Sequence, residues 1–366
     1  MKRHEFALLL LPLGVVGCAR QPPSLPFPVQ VSEYRIPWEN AFPSDVAVDS
    51  VGRVWFTDRL THVIGRYDPE SRTFERYPTP TPKSAPYGLV STPDGVLWFA
   101  ESTAGRLGKV DVATGEIQEV PLPDLGHGGP HLLAYSGNRI WFTAREAGRW
   151  GWYDPATGAA ASFPFTVKLQ NDVVRRTPSV RPYSIAAAPG GGVWIGTYDS
   201  YFLLRAWPGV DTLVQRALSR ELAPDTAFAR RITGVPDSVR IQVGRRFDRV
   251  GARRSTTDGR GTLWIADFLN GRVIRFRETP DTFVSYRSLE RTAGPYGIAV
   301  DPWGRVWYDE LRSGNLVVLN PRTGERTLIP VAHSGAAIRY IAFDKQRKRA
   351  WLPISDAGLL GMVQLR

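Results

Sequence analysis

One cysteine, Cys18, occurs in 366 residues. Disulfides therefore play no part in holding this chain together, although an exported protein could have used them. The apolar run Phe6 to Val16 is too short to cross a bilayer as a mature helix. No long stretch carries a 3.6-residue apolar period, which argues against a helical bundle. Nothing resembles a nucleic-acid-binding module, so the net charge of +11 points to no nucleic-acid partner. Histidine is scarce too. Of five, His4 lies before Cys18, leaving His62, His127, His131 and His333 for any chemistry that needs imidazole.

What the chain has in abundance is repetition. Residues 86–123 open with Pro86-Tyr87-Gly88, turn at Asp94-Gly95, and run through the apolar stretch around Trp98. An Asp-Gly pair between two apolar runs is a hairpin signal. A second turn leads into Gly108, Val110 and Val112, alternating with Lys109 and Asp111 at the period of a half-buried strand. Thr114-Gly115 turns the chain again into Glu116 to Val120, polar enough for an outer edge. Four short antiparallel strands in roughly forty residues make one propeller blade.

The unit recurs at Trp55, Trp98, Trp141, Trp194, Trp264, Trp307 and Trp351, four of the six intervals being 43 or 44 residues. This predicts an all-β, seven-bladed β-propeller in one domain over residues 31–366, its tryptophans packed between blades. Blade 7 lacks a fourth strand at the end of the chain, and Glu33 to Pro37 has no tryptophan strand before it. The N-terminal strand should therefore complete the last blade and close the ring. Two insertions interrupt the spacing, one near Lys168 to Arg181 and a longer Arg-rich one at about 213–251 with Arg230, Arg231, Arg240, Arg245, Arg246 and Arg249. The latter is expected to form a hairpin or a lid. Gly190-Gly191-Gly192 has neither a helix nor a lysine after it, so it reads as a turn and not a phosphate loop.

Lys2 and Arg3 precede the apolar run, which ends Val15-Val16-Gly17-Cys18. This is similar to a bacterial lipoprotein signal, with residues 1–17 removed, Cys18 acylated and residues 18–30 a proline-rich tether. The expectation is an exported protein anchored in a lipid bilayer through Cys18. Ala19 after the cysteine implies the periplasmic face of the outer membrane in a Gram-negative cell; otherwise the exterior of the cell membrane is implied. Without residues 1–17 the net charge is +10, which favours anionic surroundings.

Antiparallel pairing turns the repeat into a candidate site. The first strand of each blade starts where the second ends, so the residues opening each blade rim one mouth of the central channel. They are Ser44, Tyr87, His131, Tyr183, Arg253, Tyr296 and Arg339; opposite them, three residues after each tryptophan, stand Asp58, Glu101, Ala144, Thr197, Asp267, Glu310 and Ile354. The loops on that face also hold His62, His127 and His333. The ligand-binding candidates are Tyr87, His127, His131, Tyr183, Arg253, Tyr296 and Arg339. Asp58, Glu101, Asp267 and Glu310 are candidates to hold a metal.

The repeat Pro86-Tyr87-Gly88-Leu89, Pro93-Asp94-Gly95, Leu97-Trp98-Phe99-Ala100-Glu101, Gly105-Arg106-Leu107-Gly108 resembles the streptogramin B lyase (virginiamycin B lyase) family. The resemblance covers all seven units, roughly Pro43 to Leu365. It implies a seven-bladed propeller and, for the family's enzymes, a Mg²⁺-dependent C–O lyase activity that opens a cyclic depsipeptide lactone by β-elimination. It also implies histidines opening two neighbouring blades and glutamates holding the metal. Here only Pro130-His131 matches, making His131 the candidate catalytic residue. Gly129, Arg181, Arg145 and Tyr198 stand at positions matching the family's glutamates. An elimination needs a base and an acid or metal for the leaving group, so the fold is expected to carry over without the activity.

The leading expectation is a monomeric binding propeller for a small anionic or aromatic ligand, with no certain cofactor. A divergent metal-dependent lyase or lactone hydrolase, using Mg²⁺, is the alternative. A protein-interaction scaffold is the second alternative.

Overall fold

In blades 1 and 6 an aspartate in the turn before the tryptophan fastens it. Asp49 accepts hydrogen bonds at Oδ1 from the backbone N–H of Val51 and Arg53 (3.1 and 2.9 Å) and at Oδ2 from Trp55 Nε1 at 3.0 Å. Asp301 holds Trp303 N, Arg305 N and Trp307 Nε1 in the same way. Gly52 and Gly304, at φ 95° and 87°, supply the left-handed residue that such a turn requires. Sequence-local chemistry thus sets both the hairpin and the pose of the residue that packs beneath it.

The computed structural model describes residues 29–125, 128–165, 167–168, 174–175, 181–198, 202–209, 214–217, 250–279, 282–288, 290, 292–332 and 337–365. Seven four-stranded antiparallel sheets form a propeller, and the described residues contain no α-helix. Blade 1 runs from Pro43 to Pro78, blade 2 from Pro86 to Pro121, and blade 3 from Leu132 to Pro164. Blade 4 follows from Pro182 to Ala217, blade 5 from Ala252 to Arg287 and blade 6 from Pro295 to Pro330. Blade 7 takes its inner three strands from Ala342–Asp344, Arg349–Ile354 and Leu359–Gln364, and its outer strand from Val31–Arg35. The outer pairing runs from Val31 opposite Val363 to Arg35 opposite Leu359, so the two ends of the chain close the ring as the repeat predicts.

Each tryptophan lies under the next blade. Trp55 packs with Leu89, Leu97 and Phe99 of blade 2, Trp141 with Tyr183, Ile185 and Ile195 of blade 4, and Trp351 with Val46, Val54 and Phe56 of blade 1. All seven are at most 4 % exposed. An aromatic of this size buries on the order of 150–250 Å², so each interface gains several kcal/mol from one side chain at ~25 cal/mol/Å².

The insertions differ in one respect from their expected bounds. Val214–Ala217 pairs with Phe202–Ala206 as the outer strand of blade 4, so the longer insertion begins only after it. A two-stranded piece, Val167–Lys168 with Val174–Arg175, precedes blade 4. Arg230, Arg231, Arg240, Arg245, Arg246 and Arg249 of the insertion, and Cys18, His127 and His333, lie outside the described residues.

Candidate functional site

Pro86 pairs with Glu101, Pro182 with Thr197, Ala252 with Asp267 and Pro295 with Glu310. The innermost strands then converge on the channel axis. Gly88 and Gly297 permit the approach: a Cβ on Gly88 would lie 2.7 Å from His131 O, and one on Gly297 2.5 Å from Ile338 O. Gly88 N instead donates to His131 O at 3.1 Å, tying blade 2 to blade 3.

The result is a cavity of about 360 Å³ at the mouth, with Tyr87, His131, Tyr183, Arg253, Tyr296 and Arg339 in its lining. Ser44, on blade 1, is fully buried and does not line it. Three tyrosines form the floor: Tyr87 and Tyr296 hydroxyls lie 3.1 Å apart, and those of Tyr183 and Tyr296 2.5 Å apart. His131 stacks on Tyr87 (centroids 4.3 Å apart, 13° between planes) and meets Tyr183 edge-on at 5.0 Å.

A second circle of residues completes the wall. Arg59, Ser102, Arg145, Tyr198, Phe268 and Leu311 each stand four residues after a blade's tryptophan. The second strands end one residue earlier, at Asp58, Glu101, Ala144, Thr197, Asp267 and Glu310, so the next residue is the first free of the sheet and turns to the opening. Those strand-end carboxylates face the blades instead. Asp58 accepts Trp38 Nε1 and the Phe42 and Thr61 backbone N–H groups; Asp267 accepts Gly251 N, Asn270 Nδ2 and Arg272 Nε. Glu310 accepts Ser313 Oγ at 3.0 Å. The four metal candidates are thus each confined to a separate blade. Among the described residues no group of three His, Cys, Asp or Glu side chains could hold a metal ion. The donor set does not fit Mg²⁺.

The charge of the mouth is positive. Arg59, Arg145, Arg253 and Arg339 line it; among the described residues the one carboxylate in the lining is Glu146, which Arg145 Nε and Arg181 Nη1 hold at 2.6 and 2.9 Å. Arg253 is 5 % exposed, lies 3.6 Å over the Tyr198 ring and 4.7 Å over Phe268, and among the described residues donates to Tyr198 O alone, at 3.0 Å. Neither Arg253, Arg59 nor Arg339 has a carboxylate within ion-pair distance among the described residues. Below the floor, Arg254 reaches across the channel to Asp45 in a buried bidentate ion pair, and Asp45 also accepts Leu89 N.

This field shifts the titrating groups. Burial, with Arg145 and Arg254 nearby, pushes His131 well below its ordinary value, so the imidazole is neutral; its Nε2 is buried without a partner. Burial raises the Tyr87 phenol, but Arg254 and Arg339 outweigh it and hold it below the usual tyrosine value. Burial lifts Tyr183 to about 12 and Tyr296 further. A floor of hydroxyl donors under guanidinium groups that lack a carboxylate partner among the described residues can hold an anion and stack a ring.

Six of the seven ligand candidates meet at this mouth; the seventh, His127, is outside the described residues. The residues four after the tryptophans of blades 1 to 6, which form the wall, and the Asp45–Arg254 pair beneath the floor have no counterpart among the sequence-based expectations. The period of the repeat carries the first signal; the second has none, since the partners are 209 positions apart.

The family model described as the virginiamycin B lyase family matches residues 27–201. Among solved structures, virginiamycin B lyase from Staphylococcus aureus superposes with a TM-score of 0.73 at 18 % identity, covering 92 % of this chain and 100 % of that one. A catalytically inactive variant of that enzyme with quinupristin gives 0.74 at 17 % over the same shares. The extracellular domain of BT4673 from B. thetaiotaomicron gives 0.64 at 16 %, covering 91 % of this chain and 40 % of that one. No curated protein sequence matches the chain.

Proposed function

Starting from a virginiamycin B lyase-like seven-bladed β-propeller, we propose a lipid-anchored extracytoplasmic binding protein that takes a small anion bearing an aromatic or other planar ring at the channel mouth. The observation that carries this is Arg253, 5 % exposed with no counter-carboxylate among the described residues, in a cavity shared with Arg59 and Arg339. A cation removed from water without a partner is unfavourable by several kcal/mol. A bound anion relieves that cost, and Phe268, Tyr198 and the tyrosine floor supply flat apolar surface for its ring.

The lyase reading lacks support at the same place. His131 is neutral, but burial and the surrounding guanidinium groups, Arg145 first among them, oppose its taking up a proton. Anchoring rests on the sequence around Cys18.

The test is titration calorimetry with phenyl phosphate, inorganic phosphate and benzyl alcohol. Phenyl phosphate should bind most tightly, more weakly in high salt, and Arg253→Ala or Arg339→Ala should weaken it about tenfold or more, the worth of a charge-assisted contact. Equal affinity of wild type and both variants would overturn the reading, and so would Mg²⁺-dependent opening of a streptogramin B lactone that His131→Ala abolishes. In cells, Cys18→Ser should move the protein from membranes to the soluble fraction; wild type found wholly soluble would remove the anchor.

A further inference from the structure

The face opposite the mouth carries the hairpins that join each blade's first and second strands, and there the seven blades are not alike. Between blades 5 and 6 a groove of about 540 Å³ opens on that face, lined by Arg260, Arg275, Arg277 and Arg322 with Trp303 and Phe343 on its walls. Its two carboxylates are already engaged. Asp258 Oδ1 accepts Arg260 N and Thr262 N, and Asp301 holds Arg305 Nε and Trp307 Nε1. None of the four arginines has a carboxylate at ion-pair distance among the described residues. The matching groove between blades 2 and 3, about 520 Å³, is an internal control: it holds one cation, Lys109, and one carboxylate, Asp94. The same fold position is therefore neutral on one side of the ring and strongly basic on the other.

The chain's own start points to what covers the basic side. Val31 pairs with Val363, so the closing strand begins at the hairpin face, beside the exposed Lys345 and Lys348 of blade 7. Twelve residues, 19–30, and so thirteen backbone steps, separate that point from Cys18. Fully extended they reach at most ~45 Å, at roughly 3.3–3.6 Å each. A membrane holding Cys18 lies within that reach of the hairpin face, where the closing strand begins. We infer that the groove between blades 5 and 6 docks the phosphate of an anionic lipid headgroup, so that the basic sector of the hairpin face rests on the membrane and the mouth opens away from it. The orientation rests on the anchoring of Cys18; the headgroup site does not.

Arg260, Arg277 and Arg322 are exposed, so their replacement leaves the fold in place. The experiment is co-sedimentation of the full chain carrying Cys18→Ser, hence without acyl groups, with vesicles of phosphatidylcholine alone or with one-third phosphatidylglycerol. Binding should appear only with phosphatidylglycerol, weaken as salt rises, and fall roughly a hundredfold in the triple variant Arg260→Gln, Arg277→Gln, Arg322→Gln, each basic residue near an anionic surface being worth about fivefold. Lys109→Gln should leave it unchanged. Overturning results are equal binding to both vesicles, no binding to either, an unaffected triple variant, or binding of glycerol phosphate in solution without binding to vesicles. If the wild-type chain fails to acquire an acyl group while binding is phosphatidylglycerol-dependent and lost in the triple variant, the anchor fails and the headgroup site stands.

Discussion

Two circles of side chains run round this propeller on adjacent strands, and they obey opposite rules. The seven second-strand tryptophans are the same residue seven times, each at most 4 % exposed and each under the next blade. The seven opening residues, one strand inward, comprise serine, histidine, three tyrosines and two arginines. A position whose neighbours are identical in every unit is held to one solution by packing. A position that faces the shared channel meets six different partners, and its chemistry is free to diverge. The repeat is thus a frame in which constancy marks the core and variety marks the site.

That contrast can be broken first at the core. Trp141→Ala should destabilise the protein by about 3–5 kcal/mol, as for other large-to-small changes at buried aromatics, read as a lower midpoint in urea unfolding. A loss under ~1 kcal/mol would mean the interface recloses over the gap. An intermediate case lies at Glu101, at the end of a core strand and beneath the rim. Burial, then the neighbouring Glu119, lifts its carboxyl to about 8, while Glu119 is held by the backbone and hydroxyl of Thr81 at 2.6 Å each. The folded chain keeps the Glu101 proton that the unfolded chain releases above about 4.5. Stability therefore falls as pH rises from that value to about 8, by at most roughly 1.4 kcal/mol per unit, and levels off above it. Glu101→Gln should remove that decline, so its advantage in melting temperature grows from pH 5 to pH 8; parallel curves would show that Glu101 titrates normally. The smallest effect belongs to the rim. His131→Ala should cost about 1 kcal/mol, the worth of its ring contacts with Tyr87 and Tyr183, while weakening phenyl phosphate binding, and a loss as large as that of Trp141→Ala would place His131 with the tryptophans.

The fold was legible because its signals are local and repeated: Asp49, Asp94 and Asp301 each announce a hairpin within a few residues of the tryptophan it serves. The opening residues were legible at one remove, through antiparallel register. Strand-end carboxylates were harder. Asp58 and Asp267 have the residue type of metal donors, but the N–H groups of Phe42 and Gly251, left without strand partners, claim them. The Asp45–Arg254 pair was not legible, because the opposition of blades 1 and 5 exists only in the closed ring.

The closure of that ring has a mechanical side. Val31–Arg35 lies lengthwise against Leu359–Gln364, with its first residue at the hairpin face and its last leading into blade 1. A pull on residue 31 away from that face acts along the strand, so all five residue pairs share the load at once and none is peeled off alone. The seam where the polymer's two ends meet is thereby the place best disposed to bear tension from outside the ring.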